Sequence, residues 1–326
     1  MMKTVSRRTV LAGGTSLLAT PFVLSGGLAT SARAGAPMLG AQRPNHYRFK
    51  FGKFEITTIN DGAFYLGGPF PIFGADQFPE DVEELAQAHH LSPKRMEIGF
   101  SPVIINTGKE LVLFDTGNGD RRGDSAGHLQ RAMKIAGYSP EQIDIVVLSH
   151  FHADHIGGLR MAGKLAFPNA RYITGEVESN FWLHPDQAGG STESTHKLAV
   201  AHVKPVADNT TFIKDGATIA SGITALFAPG HTPGHMAFHV ESEGKRIFLG
   251  ADFCNHYVMS LQNPDWHMAF DMEKDQAGQT RRKLLDMLAT EKIPFTSYHM
   301  PFPAVGYVEK KDDGFVYVPA SYQLNL

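Results

Sequence analysis

Metal-binding side chains are concentrated in one short segment, where His150, His152, Asp154 and His155 form the pattern His-x-His-x-Asp-His. The segment follows the apolar run 143–148, which is typical of a buried strand. Imidazole suits zinc, iron and related transition metals, and a carboxylate among histidines extends the choice to manganese and cobalt. Four donors are too many for one tetrahedral ion that keeps an open position. The spacing therefore indicates the first half of a two-metal site.

Three further donors stand in motifs later in the chain. His235 ends the run GHTPGH, Asp252 ends the run GAD, and His299 follows a predicted strand. A single histidine is more often a surface or core residue than a ligand. Donors that recur in registered motifs favour a metal site instead.

The predicted strands must bring these motifs together, because the donors lie where strands end. Alternating residues predict hairpins over 47–59, 102–114 and 236–249, and an aromatic, Gly/Pro-rich loop is expected over 64–73. Other strands are predicted over 143–148, 171–173, 223–227 and 294–298, and helices over 80–90, 125–136, 176–183, 192–203 and 275–289. No Gly/Ser-rich linker divides the chain, so residues 35–326 are predicted to form one domain with sheets inside and helices outside.

These motifs resemble those of the metallo-β-lactamase superfamily, which has an α/β fold, an αβ/βα sandwich of four layers with a dinuclear site along one edge of its sheets. The resemblance covers essentially all of residues 35–326. Within the superfamily the methyl parathion hydrolase branch is the most similar. That closer similarity rests on the segments Ala166–Ala170, Phe181–Leu183 and His299–Pro319.

The resemblance implies a division of the ligands between two divalent ions. The first ion would be held by His150, His152 and His235. The second ion would be held by Asp154, His155 and His299. Asp252 would bridge the two ions, and His231, in the same run as His235, would orient the loop without binding metal. Zinc is the expected metal, with manganese, cobalt and iron left open.

Aromatic residues are the main indication of the substrate. Trp182 lies in the segment that resembles the substrate pocket of the branch. The loop over 64–73 is long enough to cover the metals, and its predicted substrate contacts are Phe64, Tyr65, Phe70 and Phe73. Core packing is the equally weighted alternative for these loop residues. An apolar pocket favours hydrophobic esters over charged nucleotides.

We therefore expect a dinuclear metallohydrolase that acts on hydrophobic lactones, aryl esters or organophosphate triesters. A hydroxide that bridges the ions would attack the carbonyl carbon or the phosphorus, while the ions stabilise charge on the attacked and leaving oxygens. Asp252 and Asp154 are the predicted catalytic residues, and Asp252 is expected to transfer a proton as well as to bridge.

Other activities stay open. Acyl-homoserine lactone lactonases of the superfamily carry a tyrosine three residues after the bridging aspartate, where this chain has Asn255. Tyr257 follows two residues later, so a quorum-quenching lactonase is disfavoured but retained as an alternative. A mono-iron sulfur dioxygenase, or a binding protein that keeps the metals for structure, are the other classes.

The first 34 residues have the composition of a twin-arginine export signal. Arg7 and Arg8 precede an apolar stretch, and Ala32-Arg-Ala34 fits a cleavage site. An uncleaved membrane anchor is disfavoured because glycines and a proline interrupt the apolar stretch. We expect a periplasmic or secreted protein that meets a membrane only for export.

Charge and cysteine content restrict the partners. The formal charge is −3, and subtracting the four basic residues of segment 1–34 makes it −7. An acidic chain without a basic cluster argues against nucleic acid. The expected partner is a small hydrophobic ester, lactone or phosphotriester, and a homodimer is left open. Cys254 is the single cysteine, so no intramolecular disulfide forms, and a buried wall residue is expected there.

Overall fold

Two seven-stranded β-sheets pack face to face in the middle of the fold. The computed structural model describes residues 36–38, 40–320 and 323–326, of which Arg43–Leu326 form one compact unit. In the other unit, Met1–Gln42, the described residues carry no helix or strand. The predicted export segment 1–34 lies outside the described residues. None of the helices in the described part of the chain has the length and apolar character needed to span a membrane.

The strands and helices follow in chain order. The strands are β1 His46–Phe51, β2 Phe54–Ile59, β3 Gly62–Leu66, β4 Met96–Phe100, β5 Val103–Asn106, β6 Leu111–Phe114, β7 Ile145–Leu148, β8 Arg160–Met161, β9 Lys164–Leu165, β10 Arg171–Gly175, β11 Thr210–Ile213, β12 Thr218–Ala220, β13 Ile223–Phe227, β14 Met236–Ser242, β15 Lys245–Leu249, β16 Phe295–Thr296, β17 Val305–Lys311 and β18 Gly314–Pro319. The α-helices are α1 Pro79–Ala88, α2 Leu129–Ala136, α3 Ala153–Ile156, α4 Glu176–Trp182, α5 Glu193–His202, α6 Met259–Gln262 and α7 Lys274–Glu291.

Strands of the first sheet are buried on both faces, and their side chains alternate between two cores. In β7, Ile145 and Val147 face the core between the sheets, whereas Val146 and Leu148 face the core beneath α2 and α5. The second sheet is arranged in the same way, because Phe248 of β15 packs against α7. The layers are therefore helix, sheet, sheet and helix, as the resemblance predicts.

The strand order brings the metal-type loops to one edge of the sandwich. The first sheet has the order β1-β2-β5-β6-β7-β10-β11, in which β6, β7, β10 and β11 run parallel. The second has the order β12-β13-β14-β15-β16-β17-β18, in which β15 and β16 run parallel. Parallel strands end at the same edge. The loops after β7, β13, β15 and β16 therefore lie close together.

Two predicted elements differ from the structure. The expected aromatic loop over 64–73 begins inside a strand, because β3 pairs antiparallel with β4 in a small separate sheet. The strand expected over 294–298 has only the two residues of β16, since Ser297 already turns to donate a hydrogen bond to the Ala251 carbonyl. This early turn places His299 next to Asp252.

Candidate metal centre

Asp115 fixes the start of the loop that carries the first four donors. Its carboxylate accepts hydrogen bonds from the backbone N–H and the hydroxyl of Ser149, both at 2.8 Å. His152 then stands just before α3, so that Asp154 and His155 fall within its single turn. The loop after β7 is thus fixed by hydrogen bonds at its first residue and ends in a helical turn.

Three imidazole nitrogens converge at one end of the cluster. The Nδ1 of His152 lies 2.9 Å from the Nε2 of His231 and 3.1 Å from the Nε2 of His150. The two Nε2 atoms are 3.2 Å apart. The other ring nitrogen of His231 already faces the Asp271 carboxylate at 2.9 Å, so its Nε2 carries a lone pair. Converging lone pairs repel each other unless a cation lies between them.

The run GHTPGH contributes His231 to this group, and the prediction that His235 is the ligand is corrected by the geometry. The Nε2 of His235 accepts a hydrogen bond from the Asp252 backbone N–H at 3.0 Å, and its Nδ1 donates to the Ala228 carbonyl at 3.0 Å. Both nitrogens of His235 are therefore engaged. Its ring supports the backbone at Asp252, while the ring of His231 points into the cluster.

Asp154, His155 and His299 form the second group, and Asp252 lies between the two groups. The Nε2 of His299 is 3.0 Å from Asp252 Oδ2 and 3.5 Å from Asp154 Oδ2. The Nε2 of His155 is 3.3 Å from Asp252 Oδ1 and 3.6 Å from Asp154 Oδ2. Asp252 Oδ2 is also 3.3 Å from the Nε2 of His231. One carboxylate thus faces both groups, as a bridging ligand would.

Hydrogen bonds to the outer ring nitrogens orient three of these histidines. The acceptors are Asp115 for His155, Asp271 for His231 and the Gly99 carbonyl for His299, at 2.8, 2.9 and 2.8 Å. Such partners fix the tautomer and aim the Nε2 lone pair inward. Asp271 is itself paired with Arg281, which is fully buried on α7. No local motif in the sequence marks Asp271 or Arg281 as part of the site.

The residues present fit a pair of divalent ions. His155 Nε2 and Asp252 Oδ1 are buried and have no hydrogen-bond partner among the described residues, although buried polar atoms are rarely unpaired. A cation beside each atom would account for both. Each group offers three terminal donors, all nitrogen or carboxylate oxygen and none a thiolate, which suits zinc, manganese, cobalt or iron.

Burial and neighbouring charge set the protonation of the imidazoles. Desolvation lowers the pKa of His152 to about 3 and holds that of His150 well below its usual value. Desolvation also opposes the charged form of His155, but the carboxylates of Asp252 and Asp115 outweigh it and raise the pKa of His155. Metal binds neutral imidazole. At His155, a cation would take the place of the proton that these carboxylates favour.

A cavity of about 540 Å³ opens onto the cluster. Of the five aromatic residues predicted to contact substrate, the structure brings Trp182 and Phe64 to its wall. Phe73 is fully buried and Phe70 packs against the same core, whereas Tyr65 is half exposed. Phe64 and Tyr65 differ because they are neighbours on β3, and neighbouring residues of a strand point to opposite faces. The cavity is also lined by Arg122, Phe270 and Met272, which no sequence motif marks.

Glu178 joins the two ligand loops, although no motif in the sequence marks it. Its carboxylate accepts hydrogen bonds from the backbone of Phe151 at 2.8 Å and of Gly234 at 3.0 Å, one from each loop. It also accepts from the Thr232 hydroxyl at 2.7 Å and from the Trp182 indole at 2.8 Å. Burial raises the pKa of Glu178, and these four donors partly offset the rise.

Replacement of Glu178 by alanine is expected to lower the free energy of unfolding by about 3 kcal/mol or more, because four buried donors lose their acceptor. Glu178→Gln keeps the shape and should cost less. Since the folded pKa of Glu178 lies above its usual 4.5, the stability of wild type relative to Glu178→Gln should fall as pH rises from 4.5 towards that pKa. Urea unfolding across pH measures both effects.

The matched control for this prediction is Glu176→Gln on the same helix. Glu176 pairs with Lys214 near the surface, so its loss should change stability by no more than about 1 kcal/mol. Equal effects at Glu176 and Glu178 would contradict the proposed link between the ligand loops.

A protein-family match shows which superfamily the chain belongs to. The model of the metallo-beta-lactamase superfamily matches residues 101–291, more than half of the chain. The chain belongs to this superfamily. Within the match lie all the donors of the metallo-β-lactamase centre described above except His299, which follows it in the sequence.

Solved structures of two hydrolases have a similar fold over most of this chain. AidC, a dizinc quorum-quenching lactonase in complex with a product, is 26% identical with a TM-score of 0.79, and the alignment covers 86% of this chain and 98% of AidC. The hydrolase AbOPH is 25% identical with a TM-score of 0.80, covering 87% of this chain and 100% of AbOPH. These similarities confirm the predicted fold class and support a hydrolytic enzyme. The narrower methyl parathion hydrolase branch stays a prediction.

Curated relatives in the superfamily match a smaller part. The atrochrysone carboxyl ACP thioesterase of Aspergillus fumigatus is 27% identical over 178 residues, which are 54% of this chain and 47% of the thioesterase. The chain thus spans about half the length of the curated relatives it matches.

Proposed function

We propose that the chain is a dinuclear metal-dependent hydrolase of hydrophobic lactones, aryl esters or organophosphate triesters. The observation that carries the proposal is the placement of Asp252 between two groups of three donors at the base of a cavity lined by Trp182 and Phe64. Zinc is the proposed metal, supported by the donor set and by the description of AidC as a dizinc lactonase.

Two divalent ions at these donors would activate water at neutral pH and stabilise charge on the attacked and leaving oxygens. The chain supplies the positions. Asp271 and Arg281 hold the ring of His231, and Asn255 donates to Asp252 Oδ2 at 3.2 Å, which fixes the plane of that carboxylate. Asp154 lines the cavity beside Asp252, so both carboxylates lie where they can accept a proton released next to the substrate.

Apolar side chains position the rest of the substrate. Trp182, Phe270 and Met272 line the cavity and would hold an acyl or aryl group inside it. Trp182 cannot rotate freely, because its indole N–H is bonded to Glu178. These residues favour hydrophobic substrates and exclude water from the reacting carbonyl.

A quorum-quenching lactonase is the second candidate, favoured by the similarity to AidC over 86% of the chain. Asn255 occupies the position where those relatives of the superfamily carry tyrosine, and it contacts Asp252. Tyr257 lines a separate cavity on the other side of His299. The chain therefore lacks a hydroxyl from this segment at the substrate. Location outside the cytoplasm stays a prediction.

A panel of four substrates tests the proposed function. The panel consists of dihydrocoumarin, phenyl acetate, an acyl-homoserine lactone and methyl paraoxon, each assayed with the metal-loaded protein. Hydrolysis of the first two faster than the homoserine lactone would support the broader esterase and lactonase activity. Preference for the homoserine lactone would support the second candidate. No hydrolysis of any substrate, with two metals bound per chain, would overturn both.

A further inference from the structure

Arg122 is the one arginine or lysine among the described residues that lines the cavity at the metal centre. Its guanidinium carbon lies 4.5 Å from the ring centroid of Phe64 and 5.3 Å from that of Phe100. Its Nε donates a hydrogen bond to the Asn118 side-chain oxygen at 2.6 Å. The guanidinium is thus held in place by two aromatic faces and one hydrogen bond.

The support for Arg122 continues into the core. The side-chain N–H of Asn118 donates to Asp61 at 2.9 Å, and its backbone N–H donates to the same oxygen at 2.8 Å. Asp61 is fully buried. A surface arginine needs no such support, so the arrangement indicates a side chain whose position matters.

The Nη groups of Arg122 remain available to a ligand. Neither makes a hydrogen bond or an ion pair with the described residues, although Asp154, Asp252, Asp271 and Glu273 line the same cavity. Arg282, by contrast, pairs with the carboxylate of Asp265. With Nε engaged, the two Nη groups are the donors that a bound molecule would meet.

Arg122 also lies close to the second group of donors. The ring of Phe100, over which the guanidinium sits, is 5.6 Å from the ring of His299, centroid to centroid. The ring of Phe100 therefore lies near both the guanidinium and His299. Trp182, Phe270 and Met272 also line this cavity, so the cavity combines one cationic side chain with apolar ones.

We propose that Arg122 is a specificity-determining residue that selects esters or lactones bearing a carboxylate a short chain away from the scissile carbonyl. A planar guanidinium donates two parallel hydrogen bonds to a carboxylate, and such bonds are stronger than those to neutral acceptors. The flanking rings exclude water, which strengthens the attraction. This inference rests on the proposed hydrolysis and narrows its substrate class.

Three matched substrates test the selection. The p-nitrophenyl monoester of glutaric acid carries the carboxylate, its methyl ester keeps the carbonyl without the charge, and p-nitrophenyl valerate has neither. Arg122→Met should lower kcat/KM for the acid by about 10- to 100-fold, mainly through KM, and change the valerate by less than about 3-fold. Arg122→Lys should recover part of the loss. Arg121→Met, at an exposed neighbour outside the cavity, is the control and should change neither substrate.

Two results would overturn the proposal. An equal loss on the acid and the valerate would show that Arg122 only packs between Phe64 and Phe100. An equal loss on the acid and the methyl ester would show recognition of a neutral carbonyl in place of an anion.

A binding measurement separates this inference from the proposed function. Calorimetry with the metal-loaded chain would use the amides glutaranilic acid and valeranilide as unreactive counterparts of the acid and the valerate. Weaker binding of glutaranilic acid to Arg122→Met, with valeranilide unchanged, would support the inference even if no ester is hydrolysed. Hydrolysis of the esters without any difference in binding would support the proposed function and overturn the role of Arg122.

Discussion

The His231→Ala variant is expected to lose one of the two metal ions. It should also hydrolyse any substrate of the wild type more than about 100-fold more slowly, because loss of a residue that only supports a ligand lowers activity by at most about 100-fold. His231 supplies one of three ring nitrogens that lie within 3.2 Å of each other. The two remaining nitrogens would hold an ion weakly, and the attacking water would then be activated by one ion in place of two. Elemental analysis and kcat measure the two effects.

The His235→Gln variant is the matched control from the same GHTPGH run. Both ring nitrogens of His235 are hydrogen-bonded to the backbone. This variant should therefore keep two metals and lose at most about 100-fold in activity, through a shift of Asp252. Loss of a metal from His235→Gln, together with retention of both metals by His231→Ala, would reinstate the assignment that the sequence suggested.

Metal removal is expected to abolish measurable hydrolysis and to lower the Tm. Each ion bound at a free concentration of a thousand times its Kd stabilises the folded chain by about 4 kcal/mol. Without the ions, the lone pair of His231 Nε2 and the carboxylate of Asp252 face each other at 3.3 Å in a buried cluster. Treatment with a chelator, followed by dialysis and thermal unfolding, measures the loss.

Reloading distinguishes metal dependence from irreversible unfolding. Zinc, manganese or cobalt should restore activity and Tm, whereas magnesium, which prefers oxygen ligands, should not. Full activity in chelated protein shown by elemental analysis to be free of metal would contradict the proposed mechanism.

The donors were predictable because they stand in short motifs at strand ends. The pattern His-x-His-x-Asp-His indicates a two-metal site, and the resemblance of the motifs to the metallo-β-lactamase superfamily implies the two ligand groups and the four-layer sandwich. The choice between His231 and His235 was not predictable, since both lie in one run and the path of the loop decides which ring turns inward. That path depends on Asp271, which holds His231 from a distant part of the chain.

Other features depend on long-range packing and leave no local trace. Glu178 resembles an ordinary helical glutamate in the sequence, yet it bonds to Phe151, 27 residues away, and to Thr232 and Gly234, more than fifty residues away. Tyr65 and Phe64 are adjacent aromatics, and only the pairing of β3 with β4 determines that Phe64 lines the cavity. Such contacts exist only once the two sheets are formed.

Each predicted ion would take ligands from both halves of the sequence. His150 and His152 precede the middle of the chain and His231 follows it, while Asp154 and His155 are completed by the distant His299. Neither half of the polypeptide can therefore assemble a complete binding site by itself. We expect tight metal capture to come late in folding, after the two sheets have docked, so that occupancy would report on the completed tertiary structure.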